Sequence, residues 1–206
     1  VISSAASDVY KRQALNDPDP SYHGMVWTEF AKAVGPIAYI VRARFVGLRD
    51  IGAALSPQSA FNIIQGLETV SLRMEKHCSN AAKVAEYLSS HNKVSRVIYA
   101  GLDEGEAGDR ANKYLKGGHG ALCGIELKGG KASGEKFINN LNMFYHVANI
   151  GDARSLAIHP ASTTHSQLSD EDMEAAGVNP SYVRLSIGIE HIDDIIEDLK
   201  NALDAA

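Results

Sequence analysis

An arginine interrupts an otherwise apolar segment near the C-terminus. In YVRLSIGIE, residues 182–190, Arg184 lies between Val183 and Leu185. Alternation with a period of two places Arg184 and Ser186 on one face of a strand and the aliphatic residues on the other. A guanidinium in such surroundings requires an anion, and its planar fork matches a carboxylate with two parallel hydrogen bonds. A salt bridge within the protein, the commoner case, and a bound substrate carboxylate both satisfy this requirement.

A second segment with side chains suited to binding precedes it. NIGDARSLAIHPASTTH, residues 149–165, is rich in hydroxyl groups and contains His159 and His165. Such residues often bond to their own backbone, so a polar loop is the alternative to a binding site. The two histidines are six residues apart and no cysteine or carboxylate completes a ligand set, so we predict no metal site. His159 is expected to be a hydrogen-bonded wall residue.

Composition restricts the classes of partner. The chain has 206 residues, of which 45% are hydrophobic and 22% charged, and a formal net charge of -5. One sizeable core is therefore expected, with no basic surface for nucleic acid. No run approaches the roughly 18 apolar residues of a membrane-spanning helix, so no membrane partner is predicted. The two cysteines, Cys78 and Cys123, are far apart, which favours free thiols and a cytoplasmic location.

The N-terminal third must position these segments. Residues 1–15 lack helical or strand periodicity and are predicted to be a disordered or artefactual tail. An amphipathic helix is predicted over 29–50, and Gly35-Pro36 is the point in it where an interruption is expected. A second helix begins at Ser56-Pro57 and continues to Ser89-Ser90, with a bend between residues 66 and 71. The apolar stripe of these long helices needs a partner that the sequence does not contain, so a missing domain is expected.

Shorter alternating units follow these helices. Strands are predicted at 94–99, 121–127, 144–148, 155–158 and 183–187, and helices at 109–115, 133–141 and 192–202. This order indicates an α/β layer domain with a mixed sheet.

Three segments in order carry a resemblance to a known family. SPQSAFNIIQGLETVSLRMEKHCSNA, residues 56–81, together with 149–165 and 183–190, closely resembles the Cys/Met-metabolism family of pyridoxal-phosphate enzymes. The resemblance runs from about residue 17 to the C-terminus. DPSYHG, RMEKHC and Asn149 resemble the O-acetylhomoserine sulfhydrylase branch, because γ-lyases and cystathionine enzymes usually carry serine at the position of Asn149.

The resemblance implies a fold. The chain is expected to contain the C-terminal α/β domain of a fold-type I pyridoxal-phosphate-dependent transferase, with a mixed, largely antiparallel sheet and helices on one side. Long connector helices are expected to precede it. On this basis residues 16–75 end the large cofactor domain and form the connector, and residues 76–206 form the C-terminal domain.

The resemblance also implies site residues. Arg184 would bind the α-carboxylate of the amino-acid substrate, and Asn149 would line the same pocket. The hydroxyls of Ser155 and Thr163 are expected in or behind that wall. The Schiff-base lysine and the phosphate-binding loop have no match here. We therefore expect no catalytic residue in this chain, and pyridoxal 5'-phosphate bound mainly by an N-terminal part that the sequence does not contain.

The expected reaction is a γ-replacement that makes homocysteine or methionine from O-acetylhomoserine and sulfide or a thiol. A methionine γ-lyase or a cystathionine-type lyase or synthase of the same family is the alternative. A non-catalytic assembly fragment is a further alternative, since the lysine is absent, and the isolated chain is expected to be inactive. The family implies homodimers that pair into tetramers.

Overall fold

The computed structural model describes residues 13–206, except for the side chains of Asp170 and Glu174. Two compact units divide between Ile64 and Gln65. None of the described helices combines the length and hydropathy that spanning a membrane requires.

The first unit is built from short helices around a tryptophan. Trp27 is fully buried with Leu15 and Val41, and its indole nitrogen donates a 2.9 Å hydrogen bond to Asp19. The helices, including one 3-10 and one π segment, are α1 Gln13–Asn16, 3-10 Pro20–Tyr22, α2 Trp27–Ala31, α3 Ala38–Arg42, π Ala43–Leu48, α4 Arg49–Ile51 and α5 Pro57–Glu68, which crosses the boundary.

One prediction for this unit needs correction and another is confirmed. Leu15, assigned to a disordered tail, is helical and only 3% exposed, because its side chain packs in the tryptophan cluster. Residues 1–12 of that predicted tail lie outside the described residues. The break that the sequence suggested at Gly35-Pro36 in the helix predicted over 29–50 is confirmed, because α2 ends at Ala31 and helix resumes at Ala38.

The second helical prediction is confirmed in detail. Ser56 precedes α5, and its hydroxyl accepts a 3.1 Å hydrogen bond from the backbone N–H of Ser59, as expected of an N-cap. Helix α5 ends at Glu68 and α6 runs from Val70 to Ser89. The break at Thr69 falls inside the predicted bend.

The second unit contains a five-stranded sheet in the order β1-β2-β5-β4-β3. Strands β3 and β4 are parallel, whereas all other neighbouring pairs are antiparallel, as expected. The elements after α6 are β1 Val94–Ile98, α7 Gly105–Tyr114, β2 Leu122–Leu127, α8 Gly130–Asn139, β3 Tyr145–His146, β4 Leu156–Ile158, 3-10 Pro160–Ser162, α9 Asp170–Ala175, β5 Tyr182–Ser186 and α10 Ile192–Ala205.

The main core lies between one face of this sheet and helices α6, α8 and α10. Val183 and Leu185 of β5 are fully buried there, with Leu88 from α6, Phe137 from α8 and Leu199 from α10. The alternation predicted for β5 is therefore correct. Because the aliphatic residues face the helices, Arg184 must lie on the opposite face.

Candidate substrate-carboxylate site

Arg184 lies in the middle of the sheet, on the face opposite helices α6, α8 and α10. Its register partners are Ile158 on β4 and Gly124 on β2. A Cβ added to Gly124 would come within 2.5 Å of the ring of Tyr182. Glycine at this position therefore leaves room for the Tyr182 ring.

A cavity of about 480 Å³ opens on this face. It takes its lining from the sheet, from the segment after β3 and from the segments that flank α9. The lining residues are Arg96, Ile98, Glu126, Ala148, Ile158, Pro160, Thr164, His165, Gly177, Val178, Asn179, Tyr182 and Arg184.

The guanidinium of Arg184 has donors left for a ligand. One nitrogen, Nη2, donates a 2.7 Å hydrogen bond to the carbonyl oxygen of Ala148. Among the side chains that the structure describes, no carboxylate forms an ion pair with Arg184, whereas the other arginine of the cavity, Arg96, lies 3.7 Å from Glu126. The arrangement therefore leaves Arg184 suited to the carboxylate of a bound small molecule.

Burial and charge shift the pKa of the neighbouring Tyr182 phenol in opposite directions. Burial raises the pKa of Tyr182 above its ordinary value, and the positive charge of Arg184 partly opposes this. The hydroxyl therefore stays protonated at neutral pH and remains able to donate a hydrogen bond.

Asn149 directly follows the residue that holds the arginine. The carbonyl of Ala148 accepts from Arg184, whereas the side chain of Asn149 is exposed and does not line the cavity. The structure thus brings the backbone beside Asn149 to Arg184, without bringing the amide into the cavity wall.

Ser155 lies behind the wall. It is fully buried, and its hydroxyl donates a 3.0 Å hydrogen bond to Glu190 and accepts one of 2.9 Å from the N–H of Gly188. With both partners inside the protein, Ser155 does not reach the cavity.

Thr163 is also turned away from the cavity. Its hydroxyl donates a 2.8 Å hydrogen bond to the carbonyl of His159, which satisfies it locally. The next two residues, Thr164 and His165, line the cavity instead. Thr164, whose hydroxyl oxygen lies 2.9 Å from Nδ1 of His165, is thus the threonine of this segment that lines the cavity.

His159 is hydrogen-bonded, as expected. It is fully buried, with Ser162 Oγ and the carbonyl of Pro180 each 2.8 Å from a ring nitrogen. No group of three or more potential ligands for a metal ion occurs among the described histidine, cysteine, aspartate and glutamate residues.

Two residues on α6 support the site and were not singled out from the sequence. The amide of Asn80 donates to the carbonyls of Gly188 and Glu190, at 3.0 and 2.9 Å. A ring nitrogen of His77 lies 2.6 Å from the carbonyl of Ile187. The available signal was their spacing of three, on the helix face that continues with the apolar Ala81 and Val84.

Comparisons with known proteins identify the family of the chain. Residues 9–204 match the model of a family described as Cys/Met metabolism PLP-dependent enzyme. The chain belongs to this family. The match also covers the end of the segment that composition alone had set apart as a tail.

Several curated members of this PLP-dependent family are similar to the chain. An O-acetyl-L-homoserine sulfhydrylase from Leptospira meyeri is 50% identical over 199 residues, which cover 94% of this chain and 45% of the relative. O-acetyl-L-homoserine sulfhydrylase 1 from Thermus thermophilus is 49% identical, over 92% of this chain and 44% of the relative. An L-methionine gamma-lyase from Fusobacterium nucleatum is 46% identical, over 78% and 41%. The chain thus spans less than half the length of these relatives.

A solved structure of the family shares the fold. It is a putative O-acetylhomoserine (thiol)-lyase from Campylobacter jejuni with N'-pyridoxyl-lysine-5'-monophosphate. The match has a TM-score of 0.77 and 40% identity, and it covers 98% of this chain and 48% of that one. The expected C-terminal fold of the family is therefore confirmed.

The cavity fits one part of the family's chemistry. A guanidinium with unused donors suits the carboxylate of an amino acid. No described lysine lines the cavity, so its residues provide no amine to hold pyridoxal phosphate covalently. The described residues of the cavity thus suit a carboxylate ligand.

Proposed function

We propose that this chain is the C-terminal part of a pyridoxal-phosphate-dependent O-acetylhomoserine sulfhydrylase. The whole enzyme would replace the acetate of O-acetylhomoserine with sulfide or a thiol, giving homocysteine or methionine. The observation that carries the proposal is the guanidinium of Arg184, which lines a cavity and forms no ion pair with any described carboxylate, in a chain about half identical to two sulfhydrylases.

In this proposal the chain binds and orients the substrate. Arg184 holds the α-carboxylate through two parallel hydrogen bonds, and the carbonyl of Ala148 fixes the plane of the guanidinium. Asn149 contributes to the same pocket in the whole enzyme, and Thr164 takes the place that the sequence had assigned to Thr163. The cofactor, when bound, supplies the electron sink that stabilises negative charge on the substrate. It is held mainly by the part of the enzyme that precedes this chain.

The test is turnover by the intact protein, loaded with pyridoxal phosphate. With O-acetyl-L-homoserine and sulfide we expect homocysteine and acetate in equal amounts, measured by mass spectrometry. Formation of 2-oxobutyrate from methionine without a thiol would instead support the γ-lyase, the alternative that the 46% identical relative favours. Neither product from a fully loaded protein would contradict both assignments.

We also propose a homo-oligomer, a dimer of dimers, in the cytoplasm. Support for assembly comes from α5, which has no buried residue along its length. Support for a reducing compartment comes from the free thiols of Cys78 and Cys123. Light scattering of the intact protein should give the mass of four subunits, and a monomer would exclude the assembly.

A further inference from the structure

A set of hydrogen bonds connects the segment before β4 to the segment after β5. The N–H of Ser155 donates to one carboxylate oxygen of Glu190 at 2.6 Å, and the Ser155 hydroxyl donates to the other at 3.0 Å. The N–H of Gly188 donates to that same hydroxyl at 2.9 Å. Glu190 thus uses both of its oxygens on a residue 35 positions away.

Two further hydrogen bonds connect the same two parts of the chain closer to Arg184. The N–H of Ile189 donates to the carbonyl of Ala153 at 2.9 Å, and the N–H of Gly151 donates to the hydroxyl of Ser186 at 3.1 Å. Residues 151–155 are therefore held along the strand that carries Arg184. Ala148, which accepts from Arg184, lies three residues before this held segment.

The atoms around Gly188 in this connection are closely packed. A Cβ on Gly188 would lie 2.2 Å from Oε2 of Glu190 and 2.5 Å from the N–H nitrogen of Ser155. From the other side, Asn80 and His77 bind the carbonyls of residues 187, 188 and 190. Glu190 forms no ion pair with any described side chain, so its charge serves the hydrogen bonds to Ser155.

We propose that Glu190 is a positioning residue for the substrate carboxylate site and acts through Ser155, Ala148 and Arg184. By fixing residues 151–155 against β5, it sets the position of the Ala148 carbonyl and thereby the orientation of the Arg184 fork. Glu190 does not line the cavity and does not touch the substrate. The inference rests on the proposed function for its kinetic readout.

The test uses Glu190→Gln in the intact, cofactor-loaded enzyme. The amide keeps the size of the carboxylate but places a donor against the Ser155 hydroxyl. We expect kcat/KM for O-acetylhomoserine to fall about 10- to 100-fold, the size expected when a binding group moves by about an ångström. The loss should appear mainly as a higher KM, and the backbone amides of residues 151–155 should exchange hydrogen with the solvent faster.

Asp198→Asn is the matched control. Its carboxylate also accepts from backbone N–H groups, of Asn142 at 2.9 Å and Met143 at 3.0 Å, but it does not line the cavity. We expect it to lower the melting temperature and to change kcat/KM less than twofold. Equal kinetic losses in both variants would show a general loss of stability and overturn the proposal. A loss of kcat/KM below twofold in Glu190→Gln would also overturn the proposal.

Two further measurements keep the proposal testable. Should Glu190→Gln not fold, Ser155→Ala removes the same hydroxyl link and must reproduce the loss. If Glu190 acts through Arg184, combining its change with Arg184→Ala should cost no more than Arg184→Ala alone, whereas additive losses would overturn the proposal.

A binding assay separates this proposal from the proposed function. L-norvaline carries an α-carboxylate but no leaving group, so its affinity for the loaded protein requires no turnover. Weaker norvaline binding in Glu190→Gln, with no homocysteine formed by the unchanged protein, would reject the sulfhydrylase and keep the positioning role. Unchanged norvaline binding would reject the positioning role even in an active sulfhydrylase.

Discussion

Arg184 and Ala148 are joined by one 2.7 Å hydrogen bond across 36 positions of the chain. The bond uses a single nitrogen of the guanidinium and connects the strand to the segment that precedes residues 149–152. A carboxylate that completes the fork would meet a group already fixed in plane, which lowers the entropy lost on binding.

Replacing Arg184 should damage catalysis more than folding. Truncating a charged, bidentate contact in a partly desolvated pocket costs about 2–4 kcal/mol, or about 30- to 1000-fold in kcat/KM. Arg184→Lys should recover little, because a point charge cannot form two parallel hydrogen bonds. The measurement is kcat/KM of the intact, loaded enzyme. The control is Arg96→Lys in the same cavity, whose side chain pairs with Glu126. A loss below threefold in folded, loaded Arg184→Ala would remove Arg184 from the site.

Gly188→Ala should destabilise the second unit. The new methyl group would lie within 2.6 Å of three atoms, two of them backbone atoms of Ser155 and Ala153. Overpacking of this kind costs about 1–3 kcal/mol. Urea unfolding would measure the change in free energy. Gly117→Ala is the control, because nothing lies within 4 Å of its Cβ position. Equal stability of the two variants would contradict the tight packing.

Asn80→Asp should be more harmful than its size suggests. The change replaces an amide that donates to two carbonyl oxygens with an oxygen that repels them. Leaving buried acceptors unpaired costs about 1–3 kcal/mol, and the added charge increases this. Thermal unfolding is the measurement, with the exposed Asn112→Asp as control. A melting temperature equal to that of the control would mean that Asn80 does not brace the segment.

The two thiols should differ in reactivity. Burial raises the pKa of Cys123 from 9.0 to about 12, so almost no thiolate forms in the folded protein at pH 8. Iodoacetamide should therefore modify the half-buried Cys78 well before Cys123, as peptide mass spectrometry would show. Because folding raises the pKa of Cys123, this thiol leaves the free energy of unfolding unchanged below about pH 9. The free energy of unfolding then falls as the pH rises toward 12. Equal labelling of both thiols in the folded protein would contradict this burial.

The isolated 206-residue chain should self-associate. Phe61, Ile64 and Leu67 follow one another at a spacing of three on α5 and are 55%, 55% and 60% exposed. An apolar stripe of this kind normally contacts another surface. Analytical ultracentrifugation should show oligomers that Phe61→Ser combined with Leu67→Ser reduces. Gln58→Ser on the same helix serves as control. A monodisperse monomer of the unchanged chain would refute the prediction.

The apolar stripe of the helix predicted over 29–50 runs through Ile37, Val41, Phe45 and Leu48, and the structure buries only part of it. Val41 is buried against Trp27, whereas Ile37, Phe45 and Leu48 remain 36%, 41% and 43% exposed. Helical periodicity identified the stripe, but only packing determined that Val41 already has a partner within its own unit.

Local periodicity was enough to predict most elements of the second unit. The period of two in YVRLS placed Val183 and Leu185 in the core and Arg184 on the other face, because a strand offers its side chains only two directions. The start of α5 at Ser56-Pro57 could also be predicted, because an N-cap hydrogen bond joins residues only three positions apart. Arg184 could therefore be singled out from the sequence, as a cation that needs a partner.

The partners themselves depend on tertiary structure. Ser155 and Glu190 meet across 35 residues, a contact that no local pattern encodes. The backbone that follows the Pro160–Ser162 turn decides which of Thr163 and Thr164 lines the cavity. The Thr163 hydroxyl donates to the His159 carbonyl, whereas Thr164 is part of the cavity wall. Sequence alone determined which residue types could bind a carboxylate, because that depends on their chemistry. Only the fold decided which of them share one cavity, because that depends on chain directions set by distant packing.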